Sequence, residues 1–373
     1  MTKLLFIPGY FGSKLNERES GKIRWVRISD FFTNKYDLQM SESYSDIGVK
    51  NDLVNGDILL KVRVLPKIIE VESYEKTLNH LGKFCQKTNR ELHTVTYDWR
   101  DDFQNSIQKI ANKIYELTAS GEKIEIVAHS NGGILISYFM RYGTQDFLCA
   151  KENWEGAKYI QKLSIVASPL HGILSLFKHI KDGTTVLQNK RLMGSLDYTS
   201  FKSTYFFLPH ENWQKGYIQK KGDQLKSLNL HELETWKKNQ WGPYNPKHLN
   251  ELPINEDKFQ KILIRAKAFQ NLMIQDVCES PLERIKIQVI RGVGLTTFFY
   301  PTLKDETSPM YHYPQNDKID GDGIVAAHSS SPLHWFHEHH LQFDTIKSAE
   351  HLKIISEYQY QKTIHDFLER ELP

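Results

Sequence analysis

The sequence has little of what marks a secreted, membrane-spanning or nucleic-acid-binding protein. Its 373 residues include three cysteines (Cys85, Cys149, Cys278), whose odd number and wide spacing favour neither a disulfide framework nor a metal site. The net charge is +3 without a basic tract, so nothing indicates nucleic acid as a partner. No apolar run approaches the length of a transmembrane helix, and Leu4–Ile7 is too short for a signal-peptide core. We therefore expect a soluble, cytoplasmic protein, at most peripheral at a membrane surface.

A serine between small residues stands inside a strand-to-helix pattern. An alternating apolar segment, residues 124–127, leads into residues 128–133 (AHSNGG), and an apolar segment long enough for two helical turns follows. A sharp turn that exposes a hydroxyl needs small residues two positions before and after it, and Ala128 and Gly132 meet this need. The pattern predicts a nucleophile elbow with Ser130 as nucleophile. The alternative is a phosphate-binding or plain glycine-rich turn, but a Walker-type lysine and a G-x-G-x-x-G motif are absent.

Strand and helix patterns alternate on both sides of this serine. Residues 4–7, 93–99 and 163–167 have the pattern of strands, while Ser73 and Asp102 are suited to cap amphipathic helices. This alternation predicts an α/β fold whose mostly parallel sheet is covered by helices on both faces.

Two stretches interrupt the alternation. Residues 13–72 form an irregular, aromatic and polar excursion, and residues 170–283 contain no clear strand but at least one amphipathic helix, along 259–273. We expect a discontinuous core of residues 1–169 and 284–373, with residues 170–283 as a cap over the site. A peripheral helical decoration without function is the alternative.

A serine nucleophile requires a base and a group that orients the base, here in the order serine, acid, histidine. The Asp-Gly-Asp-Gly turn at 320–323 offers Asp322 as the acid, with Asp320 as the alternative. His351 lies between a strand-like segment at 341–343 and a final helix, where the base belongs. The neighbouring His129 cannot turn back onto Ser130, so we expect it to be structural.

Other groups complete the predicted site. The backbone N–H groups of Asn131 and Tyr10 are candidates for an oxyanion hole, since Pro8-Gly9-Tyr10 follows an early strand. A cluster of histidines (His334, His337, His339, His340) suggests metal binding, but no cysteine or carboxylate pair completes a zinc set. No metal or other cofactor is expected.

Several segments, in order along nearly the whole chain, resemble the lecithin:cholesterol acyltransferase family, which includes lysosomal phospholipase A2 and phospholipid:diacylglycerol acyltransferases. The matching segments are IPGYFGSKL at 7–15, DFFT at 30–33 with DLQM at 37–40, YDWR at 97–100, AHSNGG at 128–133, SPLHG at 168–172, GVGLTT at 292–297, GDGIV at 321–325 and His351-Leu352. The resemblance implies an α/β-hydrolase fold and a Ser130–Asp322–His351 triad. Leu170 and His171 replace a family tryptophan, so together with Phe11 they are candidate pocket residues. We expect neither the secretory signal nor the cysteine pair of animal members in this protein.

The resemblance implies an enzyme that takes an acyl group from a lipid ester onto Ser130 and passes it to water or an alcohol. The alternative is an esterase or thioesterase for a small soluble acyl compound, since long apolar stretches are absent. A non-enzymatic binding protein would require a broken triad, whereas all three candidates are present. Phe31-Phe32 and the apolar run of the cap (Leu170, Ile173, Leu174, Leu176, Phe177, Ile180) are expected to bind the acyl chain and to contact a membrane surface transiently.

Overall fold

The computed structural model describes residues 1–33, 38–40, 53–65, 69–72, 74–184, 192–210, 217–219, 225–227, 229–248, 251, 255–277, 285–298, 302–303, 311–312, 318–336 and 341–370. The strands are β1 (Thr2–Ile7), β2 (Ser13–Glu17), β3 (Ile23–Trp25), β4 (Leu53–Ile58), β5 (Lys61–Leu65), β6 (Ile69–Glu72), β7 (Arg90–Thr94), β8 (Ile124–His129), β9 (Ile160–Val166), β10 (Tyr217–Gln219), β11 (Leu225–Ser227), β12 (Lys286–Val293), β13 (Leu295–Phe298), β14 (Thr302–Leu303), β15 (Tyr311–His312), β16 (Lys318–Gly321) and β17 (Leu341–Lys347). The α-helices are α1 (Glu75–Lys87), α2 (Phe103–Leu117), α3 (Asn131–Tyr142), α4 (Leu176–Asp182), α5 (Ser195–Ser200), α6 (Ser203–Phe206), α7 (Leu233–Asn239), α8 (Glu256–Ile274) and α9 (Tyr358–Glu369), with 3₁₀ turns at Ile28–Phe32, Gly156–Tyr159, Gly242–Tyr244 and Ile354–Ser356.

A six-stranded sheet in the order β17-β12-β9-β8-β1-β7 forms the centre of the fold. All five strand pairs in it are parallel. Because parallel neighbours require crossover connections, helices lie between β1, β7, β8, β9 and β12 along the chain. The predicted α/β class and parallel sheet are confirmed.

The two faces of this sheet follow the two-residue period of its strands. In β1, Leu5 and Ile7 pack with side chains of α2 and α3. The alternate residues, Leu4 and Phe6, pack with α1 and α9 on the other face. Since successive side chains of a strand point to opposite faces, a strand buried on both sides is apolar throughout. Helices therefore cover both faces, as predicted.

The helix caps show how the sequence sets local boundaries. Asp102 caps α2, its carboxylate accepting a hydrogen bond from the Gln104 amide at 2.9 Å, as expected. The other predicted cap, Ser73, lies outside the described residues. The strand predicted at 93–99 is shifted: β7 spans Arg90–Thr94 because its partner β1 pairs with that segment, from Thr2 opposite Arg90 to Phe6 opposite Thr94.

The excursion and the insertion contain strands that the sequence did not indicate. Within 13–72, the antiparallel sheet β3-β2-β4 and the hairpin β5-β6 replace the expected irregular stretch. Within 170–283, β10 pairs antiparallel with β11 and parallel with β14, so the expectation of no strand there is wrong. These strands are only three to six residues long, so they leave little periodic signal in the sequence.

The amphipathic helix predicted along 259–273 is α8. Its capping residue Asn255 accepts a hydrogen bond from the Lys258 amide at 3.1 Å. Arg265 joins α8 to the core through Asp102 at 2.8 Å and Asp146 at 2.6 Å. Among the described residues, no helix is long and apolar enough to cross a membrane.

Candidate active site

Ser130 lies at the turn between β8 and α3, where the sequence predicted an elbow. Its backbone angles, φ 51° and ψ −121°, fall in a region that non-glycine residues rarely adopt. A Cβ on Gly132 would come within 2.7 Å of the Pro8 carbonyl oxygen, and one on Gly9 within 2.7 Å of the Ser130 Cβ. The close approach of the Pro8-Gly9 loop to the elbow explains why small residues surround the serine. Strain of this kind is typical of functional turns.

His351 joins Ser130 to Asp322. Its Nε2 lies 2.9 Å from the Ser130 Oγ, and its Nδ1 lies 2.7 Å from the Asp322 Oδ2. All three side chains are buried. Residues separated by up to 221 positions in the chain thus form one continuous hydrogen-bonded row.

The two candidate acids have different surroundings. The second carboxylate oxygen of Asp322 accepts hydrogen bonds from the amides of Ile324 (3.0 Å) and Val325 (2.7 Å), which fix its orientation toward His351. Asp320 is exposed, and its carboxylate accepts a hydrogen bond from the Gly294 amide. The structure therefore places Asp322, and not Asp320, beside the histidine.

The loop that carries Tyr10 is fixed by aromatic side chains. Tyr97 Oη donates a hydrogen bond to the Pro8 carbonyl (2.7 Å), and the Gly9 amide donates one to Tyr74 Oη (2.7 Å). The indole nitrogen of Trp25 donates to the Phe11 carbonyl, and that of Trp99 donates to the Ser13 carbonyl (3.0 Å each). The segment YDWR thus supports this loop through its Tyr and Trp. The backbone N–H groups of Tyr10 and Asn131 have no acceptor within the part of the chain that the structure describes, so both remain available to a ligand.

A pocket of about 140 Å³ opens beside Ser130 and His351. Its other lining residues are mainly apolar: Tyr10, Phe11, Pro169, Ile173, Ser175, Leu176, His179, Tyr198, Phe207, Ile324, Val325 and Leu352. Ile324 and Leu352 are 43% and 39% exposed, so they form an apolar rim. Burial lowers the pKa of His179 to about 4, which leaves its ring neutral at physiological pH. The described lining therefore suits an uncharged, apolar group.

Of the three candidate pocket residues, Phe11 lines this pocket and Leu170 and His171 do not. The His171 amide donates to the Ser329 carbonyl at 3.1 Å, and its ring lies 3.2 Å from the Ser331 carbonyl oxygen. The backbone turns at Gly172 (φ 87°) against Pro209, which holds both residues in the protein interior. Burial lowers the pKa of His171 to about 4, as befits a structural histidine.

Some residues at the site were not indicated by the sequence. Tyr198 and His179 stack at 4.8 Å between ring centroids and both line the pocket, yet each lies in a segment without a motif. Tyr74, which contacts Gly9 and His129, also lies in a segment without a motif. No group of three metal-binding side chains occurs among the described residues. Three members of the histidine cluster, His337, His339 and His340, lie outside those residues.

The model of the lecithin:cholesterol acyltransferase family matches residues 61–239, a range that includes Ser130. Over this range, just under half of the chain, the sequence is similar to the family. This similarity supports an ester hydrolase or acyltransferase activity. No curated protein sequence matches the chain.

Solved structures extend the comparison beyond the matched range. A chain of the Tle4–Tli4 complex is similar over 98% of both chains, with 10% identity and a TM-score of 0.55, and therefore shares the fold. The lin2722 product of Listeria innocua aligns over 100% of this chain and 96% of its own, with 12% identity and a TM-score of 0.37. The Bacillus licheniformis lipase BlEst2 aligns over 98% and 90%, with 11% identity and a TM-score of 0.38.

Proposed function

We propose that this protein transfers acyl groups from lipid esters through an acyl-Ser130 intermediate, with water or an alcohol as the acceptor. The observation that carries the proposal is the hydrogen-bonded row of Ser130, His351 and Asp322 beside an apolar pocket. A serine hydroxyl is a weak nucleophile by itself, and this arrangement supplies what activates it.

In this mechanism His351 Nε2 accepts the Ser130 proton while Oγ attacks the ester carbonyl. The Asp322 carboxylate keeps the His351 proton on Nδ1 and stabilises the imidazolium that forms. The N–H groups of Tyr10 and Asn131 donate to the negatively charged oxygen of the tetrahedral intermediate. The C–O bond to the leaving alcohol then breaks, and His351 returns the proton to that alcohol. Water or a second alcohol releases the acyl group by the same steps in reverse.

A lipid substrate is supported by the family and by the apolar character of the pocket and its rim. We propose that residues 170–283 act as a cap on the core of 1–169 and 284–373, since Ile173 and Leu176 line the pocket. The exposed side chains of Ile324, Leu352 and Phe32 would contact a bilayer surface transiently. The side chains of Phe31 and Phe177, also expected to take part, lie outside the described residues.

The small size of the pocket favours a second candidate function. A cavity of about 150 Å³ holds a molecule the size of benzene, so about 140 Å³ accommodates about six carbon atoms. An esterase or thioesterase for short, soluble acyl compounds fits that volume.

A chain-length series of esters, with acyl groups of about two to sixteen carbons, separates the two candidates when measured with and without phospholipid vesicles. Each additional buried methylene contributes about 0.8 kcal/mol, so a lipid enzyme gains kcat/KM with chain length. Ile324→Ser should lower turnover on vesicles, whereas Ile264→Ser, at an exposed isoleucine outside the pocket lining, should not. A preference for two to four carbons without vesicle binding would support the soluble esterase instead.

A further inference from the structure

Two side chains outside the triad connect the loops on either side of Ser130. The Gly9 amide lies 2.7 Å from Tyr74 Oη, Tyr74 Oη lies 2.9 Å from His129 Nδ1, and His129 Nε2 lies 3.2 Å from the His351 carbonyl oxygen. We call this row of Tyr74 and His129 the bridge. It runs from the residue before Tyr10 to the residue that contacts the Ser130 hydroxyl.

The two ends of the bridge determine the direction of every hydrogen bond in it. A backbone N–H only donates, so Tyr74 Oη accepts from Gly9 and its own proton goes to His129 Nδ1. A carbonyl only accepts, so the His129 proton is on Nε2 and is donated to His351. The tautomer of His129 is thereby fixed. Tyr74 Oη accepts one hydrogen bond and donates one, His129 Nδ1 accepts one, and His129 Nε2 donates one.

The surroundings keep both groups uncharged. Tyr74 and His129 are 4% and 1% exposed. Burial raises the pKa of Tyr74, and burial followed by the neighbouring His351 holds the pKa of His129 well below its usual range. The pattern of donors and acceptors is therefore constant over the physiological pH range.

We propose that Tyr74 and His129 are positioning residues, which fix the Tyr10 amide and the His351 imidazole relative to each other across Ser130. This inference rests on the proposed acyl-transfer function. The loop has little space to shift, since a Cβ on Gly9 would come within 3.2 Å of His129 Nδ1. A displacement of about 1 Å in a catalytic group lowers rates by as much as a hundredfold.

Tyr74→Phe tests the bridge, because it removes one oxygen and keeps the ring that packs on Phe6 at 5.0 Å. We expect kcat to fall between about tenfold and a hundredfold, with KM changed less than about twofold. Tyr360→Phe is the matched control: Tyr360 is a buried tyrosine of the same apolar cluster, is not among the residues that line the pocket, and should keep wild-type kcat.

A pair of substitutions at His129 provides a rescue test. His129→Phe keeps a ring but removes both hydrogen bonds, so it should lower kcat as Tyr74→Phe does. His129→Gln retains a donor nitrogen and an acceptor oxygen and should recover most of the activity.

The outcomes separate this inference from the function on which it rests. Ser130→Ala as active as the wild type would overturn both. Inactive Ser130→Ala together with Tyr74→Phe at wild-type kcat would overturn only the bridge. If Tyr74→Phe and Tyr360→Phe lose kcat equally, each in proportion to its loss of Tm, then Tyr74 contributes through packing alone and the bridge is overturned. Should His129→Phe fail to fold, Tyr74→Phe and His129→Gln decide the question.

Discussion

The backbone of Ser130 is held in its unusual conformation by the adjacent Pro8-Gly9 loop and by the hydrogen bond from its amide to the Val166 carbonyl (2.8 Å), so removal of the hydroxyl leaves the elbow intact. Ser130→Ala should lower kcat/KM about a thousandfold or more, because a nucleophile and its base act as a unit. Its Tm should remain near that of the wild type. Retention of more than a few per cent of the activity by a pure preparation would rule out Ser130 as the nucleophile.

The pair Asp322 and Asp320 allows a matched test of the acid. Asp322→Asn exchanges an acceptor for a donor opposite His351 Nδ1, which favours the wrong tautomer and should lower kcat about ten-thousandfold. Asp320→Asn, at the exposed neighbour, should change kcat less than about threefold. The measurement is kcat for both variants at one pH, and reversed effects would mean that Asp320 is the acid.

The site residues that could be predicted are those that stand in a recognisable local sequence pattern. Ser130, Asp322 and His351 were selected by small residues, turn glycines and chain order, and the structure brings their side chains within hydrogen-bonding distance. Tyr74 and Tyr198 gave no such signal, since their positions at the site depend on contacts with segments far away in the sequence. Leu170 and His171 were predicted to line the pocket because they lie beside a motif in the sequence. In the structure they are buried next to the turn at Gly172 and do not line the pocket.

Among the secondary-structure elements, those of the central sheet were the most predictable. Buried parallel strands are continuously apolar, and the helices between them carry a 3.6-residue pattern. The strands β10 and β11 have three residues each, too few for a period to be seen. These strands form because β10 pairs with β11 and with β14, and the pairing with β14 is a tertiary contact that the local sequence does not reveal.

The last helix, α9, is held at its C-terminal end by buried charges. The Leu368 carbonyl accepts hydrogen bonds from Arg90, at 2.8 Å, and from Lys162. Glu125 compensates both cations, at 2.7 Å from Arg90 and 3.3 Å from Lys162. Cations near the last carbonyls of a helix also interact favourably with its dipole.

Glu125→Gln should therefore lower the free energy of unfolding by about 3 kcal/mol, since it leaves two buried cations without their carboxylate. The control is Glu116→Gln, which removes an exposed ion pair with Lys113 and should leave stability unchanged. Urea unfolding of both variants measures the difference. Equal stabilities for the two variants would contradict the role given to Glu125.

The stability of the whole molecule should depend on pH through its buried histidines. Burial lowers the pKa of His171 to about 4 and that of His231 to about 3. Below about pH 6.5 the unfolded chain binds protons that the folded protein excludes, so the free energy of unfolding falls as the pH falls toward 4. Each such histidine contributes up to about 1.4 kcal/mol per pH unit within that window.

Urea unfolding between pH 7 and pH 5 tests this dependence when variants are compared with the wild type. His231→Gln should reduce the slope of stability against pH. Ile264→Ser, at an exposed residue without a titratable group, should leave the slope unchanged. If His231→Gln and the wild type have equal slopes, burial of His231 does not contribute to the pH dependence of stability.

The formation of an ester on Ser130 is the central claim for the molecule as a whole, and covalent labelling tests it most directly. The wild-type protein, Asp322→Asn and Ser130→Ala are incubated with a fluorophosphonate probe, and the modified peptide is identified by mass spectrometry. We expect stoichiometric modification of Ser130 in the wild type, slow modification in Asp322→Asn and none in Ser130→Ala. An unmodified Ser130 in the folded wild-type protein, or equal labelling of Ser130→Ala, would contradict the account.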